Sequence, residues 1–427
     1  MALVWLKTAY NATVVYMTIG SAGVYICLFL ALYFEVFLMI SFFEKRPAKK
    51  TASLPSRYPT VSMVVPCFNE GKTLGQTIES LLSLQYPKEK LEVLVIDDGS
   101  TDNTREIGEH FAAQFPAQVK YFYKENGGKY TALNFAIAHS TAELVGCLDA
   151  DSFAAQDALV EVVKRFEEDR KIHAVVPLMS VHSPKNLLEI MQMAEYTFGI
   201  FVKKMFDNLG AISVLPGPFS VYRRDVFTVV GPFKHAHNTE DMEIAFRMQK
   251  HGLKIANAHT AFVYTTVPSS VPMLVKQRTR WTQGFLQNSR DYWFMFGNRK
   301  FGNFGLFALP ASMLTFFTSI FMSFYMLYTM VGSGARTVSS IVTTGIMPRF
   351  TLPNLDWFYF NTSTLTFVIF ITLCMSLSLL LIGRRLSNAT FGLPSIISYF
   401  TIYNFLAPIW LIKALVGAAL AREARWR

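Results

Sequence analysis

The run ELVGCLDADS, residues 143–152, carries two carboxylates one residue apart, Asp149 and Asp151, behind an apolar stretch that reads as a buried strand. Side chains alternate along an extended chain, so both point to the same side. They repel each other unless a cation lies between them. A hard divalent ion such as Mg²⁺ or Mn²⁺ takes oxygen ligands and shares them with substrate phosphates. Such an ion offsets the charge on a departing diphosphate. Taken alone, Asp-Ala-Asp reads first as a solvated turn capping the next helix, so its neighbours decide.

Further apolar runs end in polar chemistry. VVPCFNE (64–70) is a strand closing at Pro66, with Asn69 and Glu70 placed to start a helix near Thr73. VIDDGSTD (95–102) ends in Asp97 and Asp98, a pair able to accept the imide proton and hydroxyls of a nucleoside; Ser100, Thr101 and Asp102 read as a helix cap. NGGKYTALN (126–134) is a glycine turn opening a helix. Backbone amides there suit a phosphate and Lys129 adds a point charge, although an ordinary helix start uses the same letters. NTEDMEIAFRMQKHG (238–252) reads as a helix capped by Thr239, with Glu240, Asp241 and Glu243 at its positive end. In QRTRW (277–281), Gln277, Arg280 and Trp281 share one helical face, while Lys276 and Arg278 read as basic residues snorkelling to a membrane surface. The histidines show no metal-ligand spacing.

The elements needed to hold these strand ends are those of an α/β sheet. Between Thr60 and about Val267, short apolar runs (VSMVVP, LEVLVID, VKYFY, ELVGCLD, HAVVP) alternate with helical patterns such as TLGQTIESLLSL and DALVEVVKRFEED. That alternation implies βαβ units and a mostly parallel sheet, with ligands at the carboxyl ends of the strands. Elsewhere the texture is membrane-like: 52% of residues are hydrophobic and 16% charged, too apolar for an ordinary soluble chain. The formal charge of +10 raises nucleic acid as a partner. However, Lys45, Arg46, Lys49 and Lys50 directly follow an apolar run, as at the cytoplasmic edge of a membrane segment, so the expected partner is a lipid bilayer and not nucleic acid. The four cysteines lack disulfide or zinc spacing.

The expected organisation is a retained N-terminal membrane anchor over 1–45, a linker over 46–59 and a cytoplasmic α/β domain over 60–267. Interfacial amphipathic helices with QRTRW then occupy 268–303, and transmembrane segments 304–427. Apolar runs near 304–332, 364–383 and 395–420 bring the spans to about four. The last run, with Asn404, Pro408 and Lys413, reads as one span or as a short hairpin returning the basic tail AREARWR to the cytoplasm.

In order, VVPCFNE, VIDDGSTD, NGGK, DAD, NTED and QRTRW resemble the motifs of the processive, membrane-embedded family-2 glycosyltransferases, which include poly-N-acetylglucosamine, hyaluronan, chitin and cellulose synthases. The resemblance covers about residues 60 to 300. It implies a GT-A fold, a UDP-sugar donor and Mg²⁺ or Mn²⁺. By resemblance Asp97 and Asp98 hold the uridine and Lys129 the diphosphate. Asp149 and Asp151 bind the metal, Asp151 more directly. Gln277 and Arg280 contact the diphosphate, Asp241 is the base that deprotonates the acceptor hydroxyl, and Glu240 and Trp281 lie on the acceptor side. GPFSVYRR (217–224) resembles the segment lining the acceptor site, where Phe219 is larger than expected; Arg223 and Arg224 are either phosphate contacts or solvated.

The function expected is an inverting enzyme of the inner or plasma membrane that polymerises a β-linked glycan, best matched by UDP-N-acetylglucosamine, and passes the growing chain across the bilayer. A small membrane partner subunit is plausible because few spans make a narrow channel. The alternatives are a hyaluronan synthase using two UDP-sugars, a single-transfer enzyme making a glycolipid and, more distantly, a transporter with a degenerate α/β domain.

Overall fold

The computed structural model describes residues 19–44, 54–345, 363–387, 389 and 391–420. Lys45, Arg46, Lys49 and Lys50, and the tail AREARWR, lie outside the described residues. The chain forms two compact units, Met1–Met39 with Thr315–Ser378, and Ile40–Leu314 with Leu379–Arg427.

The larger unit is built on an eight-stranded sheet in the order β3-β2-β1-β4-β7-β6-β8-β5. The strands are β1 (Val61–Cys67), β2 (Leu91–Asp97), β3 (Val119–Tyr123), β4 (Leu144–Cys147), β5 (Ser152–Ala154), β6 (Ile172–Val181), β7 (Ser220–Arg223) and β8 (Lys254–Thr265). The five runs read as strands form β1 to β4 and β6. The sheet is parallel across β3-β2-β1-β4 and between β6 and β8. It is antiparallel where β7 pairs β4 and β6, and where β5 pairs β8, which makes it mixed. Those antiparallel strands escape sequence reading for identifiable reasons. β5 and β7 have three and four residues, and polar Asn257, His259 and Thr260 interrupt the apolar run of β8.

Numbering the helices along the whole chain, α1 is Ile19–Glu44, and the sheet's helices are α2 (Leu74–Leu82), α3 (Thr104–Gln114), α4 (Lys129–His139), α5 (Ala158–Glu168), α6 (Leu187–Asn208), α7 (Val226–Val230) and α8 (Glu240–Lys250). Apolar residues recur at helical spacing where these meet the sheet, such as Leu74, Ile78 and Leu81 on α2, and Ile244, Ala245 and Met248 on α8. Within β1 alternate residues serve opposite faces: Val61, Met63 and Val65 pack in the core with α2 and α5, whereas Val64 packs in the core with α4 and α8. Burial on both faces explains why the parallel strands read as unbroken apolar runs.

Chain order reverses at β1, which has β2 on one side and β4 on the other. Open α/β sheets place ligands at the strand carboxyl ends beside such a switch. Asp149 and Asp151 follow β4 there, anchored by the Leu148 amide donating to the Val64 carbonyl at 2.8 Å.

After the sheet come α9 (Val271–Asp291), α10 (Leu309–Thr344), α11 (Thr364–Ser387) and α12 (Leu393–Ala419). Among the described residues, four helical stretches are long and apolar enough to cross a membrane: Gly20–Glu44, Phe304–Thr344, Thr364–Ser387 and Leu393–Ala419. The hairpin reading of the last run is overturned, since α12 is a single helix with Pro408 inside it. Proline removes one backbone hydrogen bond, and in a membrane-type helix neighbouring groups compensate for that loss. Inside the smaller unit, Glu35 of α1 accepts a hydrogen bond from Ser376 of α11.

Candidate active site

A cavity of about 750 Å³ opens at the carboxyl edge of the sheet. It brings together Asp149 and Asp151 after β4, Lys129 at the start of α4, and Glu240 and Asp241 at the start of α8. Gln277, Arg280 and Trp281 of α9 line the same cavity.

Lys129 ties two motifs together: its ammonium is hydrogen-bonded to Asp149 and lies 3.7 Å from Glu240 Oε1. Burial disfavours that charge, but the Asp149 and Glu240 carboxylates outweigh it and hold the Lys129 ammonium well above the ordinary lysine range. The pairing depends on Gly217, because a Cβ there would overlap Lys129 Nζ and the Asp149 carboxylate. Burial, then the charge of Glu240, push the Asp241 carboxyl up to about 6, although Lys129 and Arg280 pull it back. Burial, then the charges of Asp149 and Glu70, push Asp151 to about 6 as well.

The Asp149 and Asp151 pair fits a hard divalent cation. Both present oxygen donors to one cavity, and a cation would relieve the repulsion that raises Asp151. Among the described residues no group of three or more His, Cys, Asp or Glu side chains converges into a cage. Two carboxylates therefore leave the remaining positions to phosphate oxygens and water. Asp151 is also held from behind, since Thr266 N donates to its carbonyl at 3.3 Å and Ser152 Oγ donates to Thr265 Oγ1 at 2.9 Å.

Asp97 and Asp98 lie outside the cavity lining and are buried. Asp97 accepts from Ser100 N at 2.8 Å and from the Tyr121 hydroxyl at 2.7 Å. Asp98 accepts from Gly127 N at 3.0 Å, Gly128 N at 2.8 Å and the Lys124 ammonium. The glycine-turn amides read as suited to phosphate are thus engaged by Asp98. The capping reading of GSTD is also corrected in part. Ser100 Oγ accepts from Asn69 N at 2.9 Å and Asp102 from Gly71 N at 3.1 Å, so these oxygens staple the loop after β1 to the loop after β2. Asp102 alone keeps a local role, accepting from Thr104 N at 3.0 Å.

Nor does Thr239 cap α8. Its hydroxyl donates to the Ala236 carbonyl at 3.0 Å and accepts from Asn288 of α9 at 2.9 Å. Helix α9 holds this loop a second time through Arg280, whose guanidinium donates to the Asn238 carbonyl at 3.0 Å. The loop needs holding, because Ala236, His237 and Asn238 all have positive φ, at 45°, 56° and 60°. Gly284 permits the approach, since a Cβ there would overlap the Thr239 side chain.

Lys276 is exposed as expected, but Arg278 is not a snorkelling residue. It is buried, pairs with Glu195 Oε2 of α6 at 2.7 Å, and sits over the Trp281 ring at 4.2 Å from its centroid. A carboxylate on a different helix, invisible in local spacing, explains the difference. Phe219 does not narrow the site either. Its φ is 66° and its side chain is fully buried in the sheet core, leaving Pro216, Gly217 and Pro218 as the cavity wall. Arg223 donates to the Ile172 carbonyl at 2.7 Å, away from the cavity. Residues missed by the sequence reading are Glu195 and Lys203, which line the cavity from α6. Charged side chains inside the otherwise apolar run IMQMAEYTFGIFVKKMF were the available signal.

Residues 62–231 match the sequence model of Glycosyl transferase family 2. The chain is 28% identical over 398 residues to a poly-beta-1,6-N-acetyl-D-glucosamine synthase of Staphylococcus epidermidis, covering 91% of this chain and 90% of the relative. A synthase of the same name from Staphylococcus aureus (strain COL) is 31% identical over 228 residues, 52% of this chain and 54% of that one. The fold is similar to that of the mannosyltransferase PcManGT from Pyrobaculum calidifontis, solved with GDP-Man and Mn²⁺. The TM-score is 0.64 at 20% identity, over 95% of this chain and 99% of that one. At that identity the likeness speaks for the GT-A fold.

Proposed function

The chain is a family-2 glycosyltransferase, and on that premise we propose that it polymerises a β-linked glycan from UDP-N-acetylglucosamine at the cavity between DAD, TED and QRTRW, and translocates the product. The names of its relatives support the polymer and the sugar. The observation that carries the reaction is the cavity that places the Asp241 carboxylate beside Asp149 and Asp151, where burial and Glu240 push it up, to about 6. A base works best when its pKa lies near the working pH.

In this reading Asp241 accepts the proton of the acceptor hydroxyl as that oxygen bonds to the anomeric carbon. The bond from that carbon to the diphosphate oxygen breaks on the opposite side, its electron pair leaves with UDP, and the configuration inverts. Lys129, Gln277 and Arg280 face the developing negative charge. Trp281, with Arg278 over its ring, offers the acceptor sugar an apolar face. Asp97 and Asp98 shape the nucleoside edge, Asp98 through the glycine turn that it holds. Asp149 and Asp151 are the residues to hold Mg²⁺ or Mn²⁺, which when bound supplies counter-charge to the diphosphate. The basic cluster after α1 supports a multi-pass protein of the inner or plasma membrane with this site in the cytosol, where UDP-sugars are made.

Asp241→Asn tests the assignment. The variant is expected to bind UDP as the unaltered protein does, measured by calorimetry, and to lose transfer by at least about a hundredfold, the lower range for a general base. Retained turnover would remove Asp241 from the mechanism.

A further inference from the structure

Helix α6 presents Glu195, Tyr196, Gly199, Ile200 and Lys203 to the cavity, a stripe at helical spacing. The adjacent Lys204 does something different. It is buried and lies 3.5 Å from Asp207, whose other oxygen accepts from Asn257 N of β8 at 3.1 Å. Lys204 is therefore neutralised within the fold. Among the described residues Lys203 has no carboxylate within salt-bridge distance and no hydrogen-bond acceptor. Lys203 is half-buried and faces the cavity, so its ammonium is left to a group that enters that space. The charge acting on Lys203 is the carboxylate of Asp241, across the cavity on α8. One turn before it, Gly199 leaves the wall open, since nothing lies within 4 Å of where its Cβ would stand.

We propose that Lys203 is an acceptor-positioning residue: its ammonium donates to a hydroxyl or acetamido oxygen of the acceptor sugar and holds the attacking hydroxyl toward Asp241. This rests on the transferase reading above and adds a side of the site that DAD, TED and QRTRW do not supply. Burial lowers the Lys203 ammonium to about 8 while Asp241 opposes the shift, so it remains a donor at neutral pH. Its length and flexibility suit an oxygen that changes position as each new sugar arrives.

The test uses the full-length protein in detergent with UDP-N-acetylglucosamine as donor and an N-acetylglucosamine oligosaccharide as acceptor. Lys203→Met should raise the acceptor KM about 10- to 100-fold, the range of one charge-assisted hydrogen bond. The donor KM and slow UDP release to water should stay unchanged, and Lys203→Arg should recover part of the loss. Lys204→Met is the control: it should lower thermal stability and leave the acceptor KM alone. An unchanged acceptor KM in Lys203→Met, or equal losses of transfer and of UDP release to water, would overturn the assignment. Unaltered protein that neither releases UDP nor extends the acceptor would overturn the reading beneath it.

Discussion

Asp241, the proposed base, shares one cavity with four other carboxylates, Asp149, Asp151, Glu195 and Glu240. Burial and Glu240 raise it, while Lys129 and Arg280 keep it from rising further. A base must be deprotonated to act, so a group raised to about 6 loses activity as pH falls through that value. The expected kcat/KM for transfer is flat near neutrality and drops about tenfold per pH unit on the acid side of 6. A rate profile under saturating metal measures it. An acid limb near 4, the ordinary carboxylate range, would contradict the account.

At the scale of elements, α9 is the part that assembles the site. It reaches the loop before α8 through Asn288 and Arg280, and α6 through the Arg278–Glu195 pair. Breaking a buried pair from one side leaves an uncompensated charge and costs about 3 to 5 kcal/mol. Arg278→Met should therefore lower the thermal midpoint clearly, and adding Glu195→Leu should recover most of it. A single variant as stable as the parent would show that the pair holds nothing. Such links also mark the limit of what sequence alone conveys. DAD, TED and QRTRW were legible because each packs its chemistry into three to five consecutive residues at a strand end or on a helix face. Glu195, Lys203 and the role of Gly217 were not, since each matters through a partner on another element. Capping was misread at Thr239 for the same reason: the local pattern was right, but its hydroxyl was already engaged by α9.

At the scale of the whole chain, one polypeptide carries a GT-A domain and, among the described residues, four helices long enough to cross a membrane. Composition disclosed the membrane character, and alternating runs disclosed the parallel half of the sheet. The antiparallel half stayed hidden because β5 and β7 are too short to show a period. Which sugar enters, and whether one donor suffices, is decided by the reaction itself. The most direct measurement is polymer formation by purified, detergent-solubilised protein given UDP-N-acetylglucosamine alone with Mn²⁺, beside the same mixture with EDTA and with added UDP-glucuronate. Long polymer from the single donor, abolished by EDTA and indifferent to the second sugar, is the predicted result. A strict need for both donors, or a product that stops at one sugar on a lipid, would contradict it.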